Sequence, residues 1–226
     1  MKRSKATDMY SKSFYALLSA MGLLFKNRRA LVLILTTYTG LLITVYLFVS
    51  TPISQLLVTF FSIAAAPALF FVLQAVSVSY TSGSLRRVAS VSFKLFIVSL
   101  PVIALTAFAA YRVNVTTLRY LLVAVVGPLL AIQLWIATSN SGLRSLVKRL
   151  GQVLTRTFAP HSVLVYACGF LIFAVAPYLL LRKPISTERA WLEISLLTVR
   201  LAASATLMLV GWVTTVGAIS ILSRDD

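Results

Sequence analysis

The residue types that carry chemistry are few in this chain, and their spacing does not gather them. One histidine, His161, follows Pro160. The carboxylates are Asp8, Glu188, Glu193, Asp225 and Asp226, and none lies inside a long apolar run. Glu188 and Glu193 are five positions apart, so a helix does not set them on one face. The single cysteine, Cys168, has no disulfide partner within the chain and reads as a small buried hydrophobe. Acid–base, nucleophilic or metal chemistry needs several such groups converging. No phosphate-cradling glycine loop and no Gly-x-Ser-x-Gly elbow occurs. The expectation is a non-enzymatic protein with no cofactor and no metal, in which His161 touches a headgroup or backbone group.

Polar residues inside the apolar runs form a second set. Gln74 and Gln133 need partners, most simply on a neighbouring helix. Arg200 is the one ionisable residue at the edge of a run, where snorkelling to the interface accounts for it. Ser77, Thr106, Ser204 and Thr206 can line a polar path or tie helices together. Pro67, Pro101, Pro128 and Pro177 stand within apolar runs, where proline removes a backbone hydrogen bond and bends a helix.

The elements that hold these residues follow from composition. The chain is 59% hydrophobic and 12% charged, with mean hydropathy +0.94. Soluble domains carry about 25% charged residues. The expected fold class is an all-α integral membrane protein with six transmembrane helices. Apolar runs place the spans at 30–49, 55–79, 95–111, 120–138, 162–181 and 201–222. Residues 1–29 form a basic N-terminal segment preceding the six-helix domain 30–226. Residues 188–200 extend the last helix at the outer interface, anchored by Trp191.

Between the fourth and fifth spans lies the clearest amphipathic pattern, 143–158. Leu143, Leu146, Val147, Leu150, Val153, Leu154 and Phe158 share one helical stripe. Arg144, Lys148, Arg149, Gln152 and Arg156 fill the other side, the pattern of a helix lying in a membrane interface. Tyr10, Phe14, Leu17, Leu18, Met21, Leu24 and Phe25 make a similar face before the first span, with Thr7 or Asp8 as its cap. A short basic segment, 85–94, makes a third. These segments suggest a threefold parallel plan, in which an amphipathic segment precedes a span going out and a span returning.

Net charge is +16, from 21 Lys and Arg against 5 Asp and Glu. The basic residues border the apolar runs, which points to lipid headgroups rather than nucleic acid. One side receives 15 of them, including Lys26, Arg28, Arg29, Arg86, Arg87, Arg144, Lys148, Arg149 and Arg156; the other receives 6. The positive-inside rule then puts both termini in the cytoplasm, with the bacterial inner membrane as the expected location. Those nine residues are the expected contacts with anionic lipid.

The stretch Tyr10–Thr36, with Phe25-Lys26-Asn27-Arg28-Arg29, and the outer segment Glu188–Val199 resemble the permease halves of ABC-2 type exporters in layout. The resemblance implies a half-transporter energised by a separate ATPase. The helix 143–158 departs from that plan. The reading favoured by the residues is a scaffold or subunit of a larger membrane assembly. A permease-like component is the alternative.

Overall fold

A computed structural model describes residues 5–52, 55–83, 85–141, 146, 148–182 and 189–225. Among them every regular element is helical. Six helical stretches are long and apolar enough to cross a membrane, beginning at Arg28, Leu56, Val88, Thr116, Pro160 and Ala190. The chain has the architecture of a polytopic membrane protein.

α1 (Lys5–Lys26) stops at Asn27, where α2 (Arg28–Ser50) begins. The Asn27 Oδ1 accepts from the Ala30 backbone N–H at 3.1 Å, so this residue starts the first span as an N-cap. Thr7 and Asp8 lie inside α1 rather than capping it, because helix already runs from Lys5. The buried side of α1 is Ser13, Ala16, Ala20 and Leu24, small residues spaced by three and four that let it pack closely on the last and fifth spans. Tyr10, Phe14, Leu18, Met21 and Phe25, the larger members of the expected apolar face, point away from the bundle.

α3 (Leu56–Ser79) returns beside α2 and tightens into a 3-10 turn, Tyr80–Ser82. Gly83 ends it at φ +70°, a left-handed cap that glycine takes without strain. α4 (Val88–Arg112) follows the short turn Leu85–Arg87. Thus the third span starts at Val88, not at residue 95, and the expected separate basic segment 85–94 merges into it. The polar residues that suggested a break are absorbed by the helix. Ser92 returns its hydroxyl to the Val88 carbonyl at 2.8 Å, and Lys94 is only half-buried.

The fourth span joins α5 (Thr116–Leu121) and α6 (Gly127–Ser141) through a π turn, Leu122–Val126. α7 (Leu150–Thr157) falls within the expected helix 143–158, of which Leu143, Arg144 and Val147 lie outside the described residues. The backbone turns at Arg149, which caps α7, so the expected single helix is interrupted there. The apolar stripe also divides. Leu146 and Val153 are buried against Val98, Val102 and Leu134, whereas Leu150, Leu154 and Phe158 are exposed.

The fifth span joins α8 (Pro160–Phe170) and α9 (Ala176–Arg182) through a second π turn, Leu171–Val175. Each π turn stands immediately before a residue pair ending in proline, Gly127-Pro128 and Ala176-Pro177. At the first, the missing Pro128 N–H leaves the Ala124 carbonyl without its usual partner, and the Tyr166 hydroxyl donates to it at 2.6 Å. Pro67 and Pro101 instead sit inside α3 and α4 with their rings exposed and no π turn. Cys168 is exposed on α8, not buried, because its neighbour Gly169 takes the packed position against Thr215.

α10 (Ala190–Asp225) is one unbroken helix of 36 residues. At about 1.5 Å per residue it is roughly 54 Å long, well beyond a hydrocarbon core of about 30 Å. Every residue from Val213 to Ser220 is buried, whereas none from Ala190 to Ala203 is. α3 shows the same gradient. All but Val72 are buried from Phe71 to Tyr80, while only Ser62 is buried from Leu56 to Ile63. The bundle is therefore dense at one end and loose at the other.

Candidate functional site

A cavity of about 500 Å³ lies between the dense and loose halves. That is within the range of about 300–1,000 Å³ typical of small-molecule sites. All six spans supply its wall, among them Tyr38, Gln74, Ser99, Trp135, Phe173 and Trp212. Buried residues such as Phe71, Leu73, Ser99 and Trp135 form one part of it, and exposed Ile103, Val123 and Met208 another. None of the lining residues is charged.

A chain of aromatic contacts from α3, α6, α10 and the second π turn forms part of the wall, and Phe96 of α4 backs it. Phe96 of α4 meets Phe71 edge-on at 5.4 Å, and Phe71 meets Phe70 at 5.3 Å. Phe70 approaches Trp135 of α6 at 6.4 Å, and Trp135 approaches Trp212 of α10 at 6.5 Å. Phe173, in the second π turn, closes the chain on Trp212 at 5.2 Å. These near-perpendicular contacts suit the ring quadrupoles and stiffen the wall. The second π turn meets the chamber at Phe173, which lines it.

The indoles, Ser99 and Thr106 of the wall are hydrogen-bonded within the protein. Trp135 Nε1 donates to Ser99 Oγ at 2.7 Å, and Ser99 donates to the Leu95 carbonyl at 2.7 Å. Thr106 returns its hydroxyl to the Val102 carbonyl at 2.8 Å. Trp212 Nε1 donates to Gln74 Oε1 at 2.8 Å. Indole nitrogen is a donor only, so this bond fixes the amide with its oxygen toward Trp212. The Gln74 Nε2 group is then left with no acceptor, and the residue is 0% exposed. Leaving such a donor buried and unpaired costs about 1–3 kcal/mol.

Of the expected intramembrane polar residues, Gln74 thus lines the chamber. Gln133 does not. It donates to Ser162 at 3.4 Å and accepts from Ser223 at 3.3 Å, tying the fourth span to the fifth and sixth at the dense end. Arg200 is half-buried on the loose half of α10 and is not among the chamber residues. Pro128 borders the chamber, while Pro67, Pro101 and Pro177 do not line it.

The expected lipid contacts divide by position. Lys26, Arg28, Arg29, Arg87, Lys148 and Arg149 are exposed, and Arg156 is half-buried. Arg86 belongs to the turn Leu85–Arg87, and Arg144 lies outside the described residues. His161 is half-buried in the first turn of α8. Among the described residues no three His, Cys, Asp or Glu side chains gather as a metal site requires.

Sequence reasoning overlooked Trp135, Trp212, Ser99 and Phe173. The signal was present in part. An indole N–H within an apolar run needs an acceptor, and Gln74 needs a donor. Their pairing across 138 positions is not visible in local spacing. Comparison with protein families, curated proteins and solved structures returned no match.

Proposed function

We propose that this chain is a non-enzymatic subunit of a membrane assembly, held with both termini in the cytoplasm of a bacterial inner membrane. The observation that supports it is the segregation of charge in a six-span bundle. Because the spans alternate in direction, Arg28, Arg87, Lys148, Arg149, Arg156 and Arg224 fall at the dense end. Arg112, Arg119, Arg182 and Arg189 fall at the loose end. The basic dense end then rests on anionic headgroups, each Lys or Arg contributing about 1 kcal/mol near the surface. α1 and α7 are the helices on that rim in this reading. Extraction in a mild detergent followed by native electrophoresis tests it. The expected result is a species well above 24.7 kDa with a stoichiometric partner. A monodisperse single chain with no partner overturns it.

A second reading, a permease-like component energised by a separate ATPase, is favoured by one observation. The cavity is bordered by every span rather than sealed. Its lining is apolar, so in this reading the cargo is hydrophobic.

A further inference from the structure

The chamber and the buried, unpaired amide on its wall point beyond a structural role. We propose that the cavity is a binding site for a neutral, largely apolar molecule carrying one hydrogen-bond acceptor, a carbonyl of an ester or ketone. Gln74 Nε2 is the group that recognises the acceptor.

The shape and chemistry of the wall select this class. The lining is almost wholly hydrocarbon and aromatic, so it favours an apolar body. It offers no counter-charge, and an ionised ligand left unpaired in such a site would be strongly disfavoured. Ser99 and both tryptophan N–H groups are already engaged within the protein, and Tyr38, the lining residue whose hydroxyl makes no hydrogen bond among the described residues, is only half-buried. The Gln74 amide N–H₂ is unengaged, fully buried, and held in place by the Trp212 bond to its own oxygen. A buried donor fixed by a second-residue contact is a preorganised one, and it rejects a ligand without an acceptor because it then stays unpaired. The same chemistry is available from two sources, a fatty-acyl ester and an isoprenoid ketone.

Tryptophan fluorescence reads the site directly. The chain has three tryptophans, and Trp191 is exposed in the first turn of α10, away from the chamber. In a Trp191→Phe background the emission comes from Trp135 and Trp212 alone. The purified full chain in detergent is titrated with methyl 11,12-dibromododecanoate, whose bromines quench at contact, and in parallel with 1,2-dibromododecane, which lacks the carbonyl. Saturable quenching by the ester is expected at about fivefold to tenfold lower mole fraction than by the alkane, the worth of one neutral hydrogen bond. Gln74→Leu should erase that ratio while leaving alkane quenching in place. Gln74→Met serves as a second variant, and the comparison in the Trp191→Phe protein stands if neither folds. Recovery of fluorescence with methyl dodecanoate identifies the acyl-ester source, and recovery with geranylacetone the isoprenoid ketone. Equal quenching by ester and alkane, or quenching that never saturates, overturns the proposal. So does an ester preference that survives in a folded Gln74→Leu protein.

Discussion

The dense half and the loose half of this bundle are built from the same kinds of apolar residue, yet they are held together by different means. At the dense end, glycines let large groups enter the neighbouring helix. A Cβ at Gly217 would run into the Tyr80 hydroxyl, and one at Gly169 into Thr215. Tyr80 itself reaches across to the Ala20 carbonyl at 3.2 Å and lies 3.5 Å from the Val213 carbonyl, joining α1, α3 and α10. Arg224 closes the same end by donating to the Thr81 carbonyl at 3.2 Å, where the C-terminal dipole of the second span favours a cation. At the loose end, Leu56, Leu57, Phe60 and Phe61 are exposed, with Leu57 at 87%. In lipid such residues gain nothing from packing on each other, since hydrocarbon tails solvate them equally well. Backbone approach and polar bonds hold one half, and the bilayer holds the other.

The largest expected effect is at Gly217. Gly217→Leu should abolish the folded bundle, because Tyr80 has no room to retreat, and should be seen as loss of the monodisperse species after extraction. Gly22 is the control, as nothing lies within 4 Å of an added Cβ. Gly22→Ala, near the C-terminal end of α1, should stabilise by up to about 1 kcal/mol in thermal unfolding.

Charge at the dense rim comes next. Replacing Lys148, Arg149 and Arg156 together with Gln should remove about 3 kcal/mol of preference for anionic over zwitterionic nanodiscs, read as a lost difference in unfolding temperature. An unchanged difference would detach this rim from the lipid surface.

Single bonds rank third. Tyr166→Phe strands the Ala124 carbonyl below Pro128, and Tyr80→Phe releases Ala20. Each should cost about 1–3 kcal/mol, with faster hydrogen exchange in α1 for Tyr80→Phe alone. The smallest effect belongs to the loose half. Leu57→Ala or Phe60→Ala should change stability by less than about 0.5 kcal/mol. A larger loss would mean that this end is packed against something.

The spans themselves were legible because run length and charge placement report directly on solvent. The third span shows where that signal fails. The segment 85–94 read as a separate basic element ahead of the span, but helix runs through it from Val88, Ser92 feeds its hydroxyl back into that helix, and Lys94 is half-buried. In α1 the large residues set the visible pattern, while Ala16 and Ala20 made the contact, since packing in a membrane is governed by what permits close approach. Cys168 misled in the same way, its glycine neighbour having taken the buried position. Gln74 was recognisable as a residue in need of a partner. The chamber around it was not, because Phe, Trp and Met in an apolar run look alike whether they face lipid or a cavity.

The central claim is that a single basic, densely packed end faces the cytoplasm and the loose end faces out. Cysteine scanning in intact cells measures it, on a Cys168→Ala background, with Arg28→Cys at the dense end and Asn114→Cys at the loose end. A membrane-impermeant maleimide should label Asn114→Cys in intact cells and Arg28→Cys only after the membrane is opened. Labelling of Arg28→Cys from outside, with Asn114→Cys protected, would contradict the account.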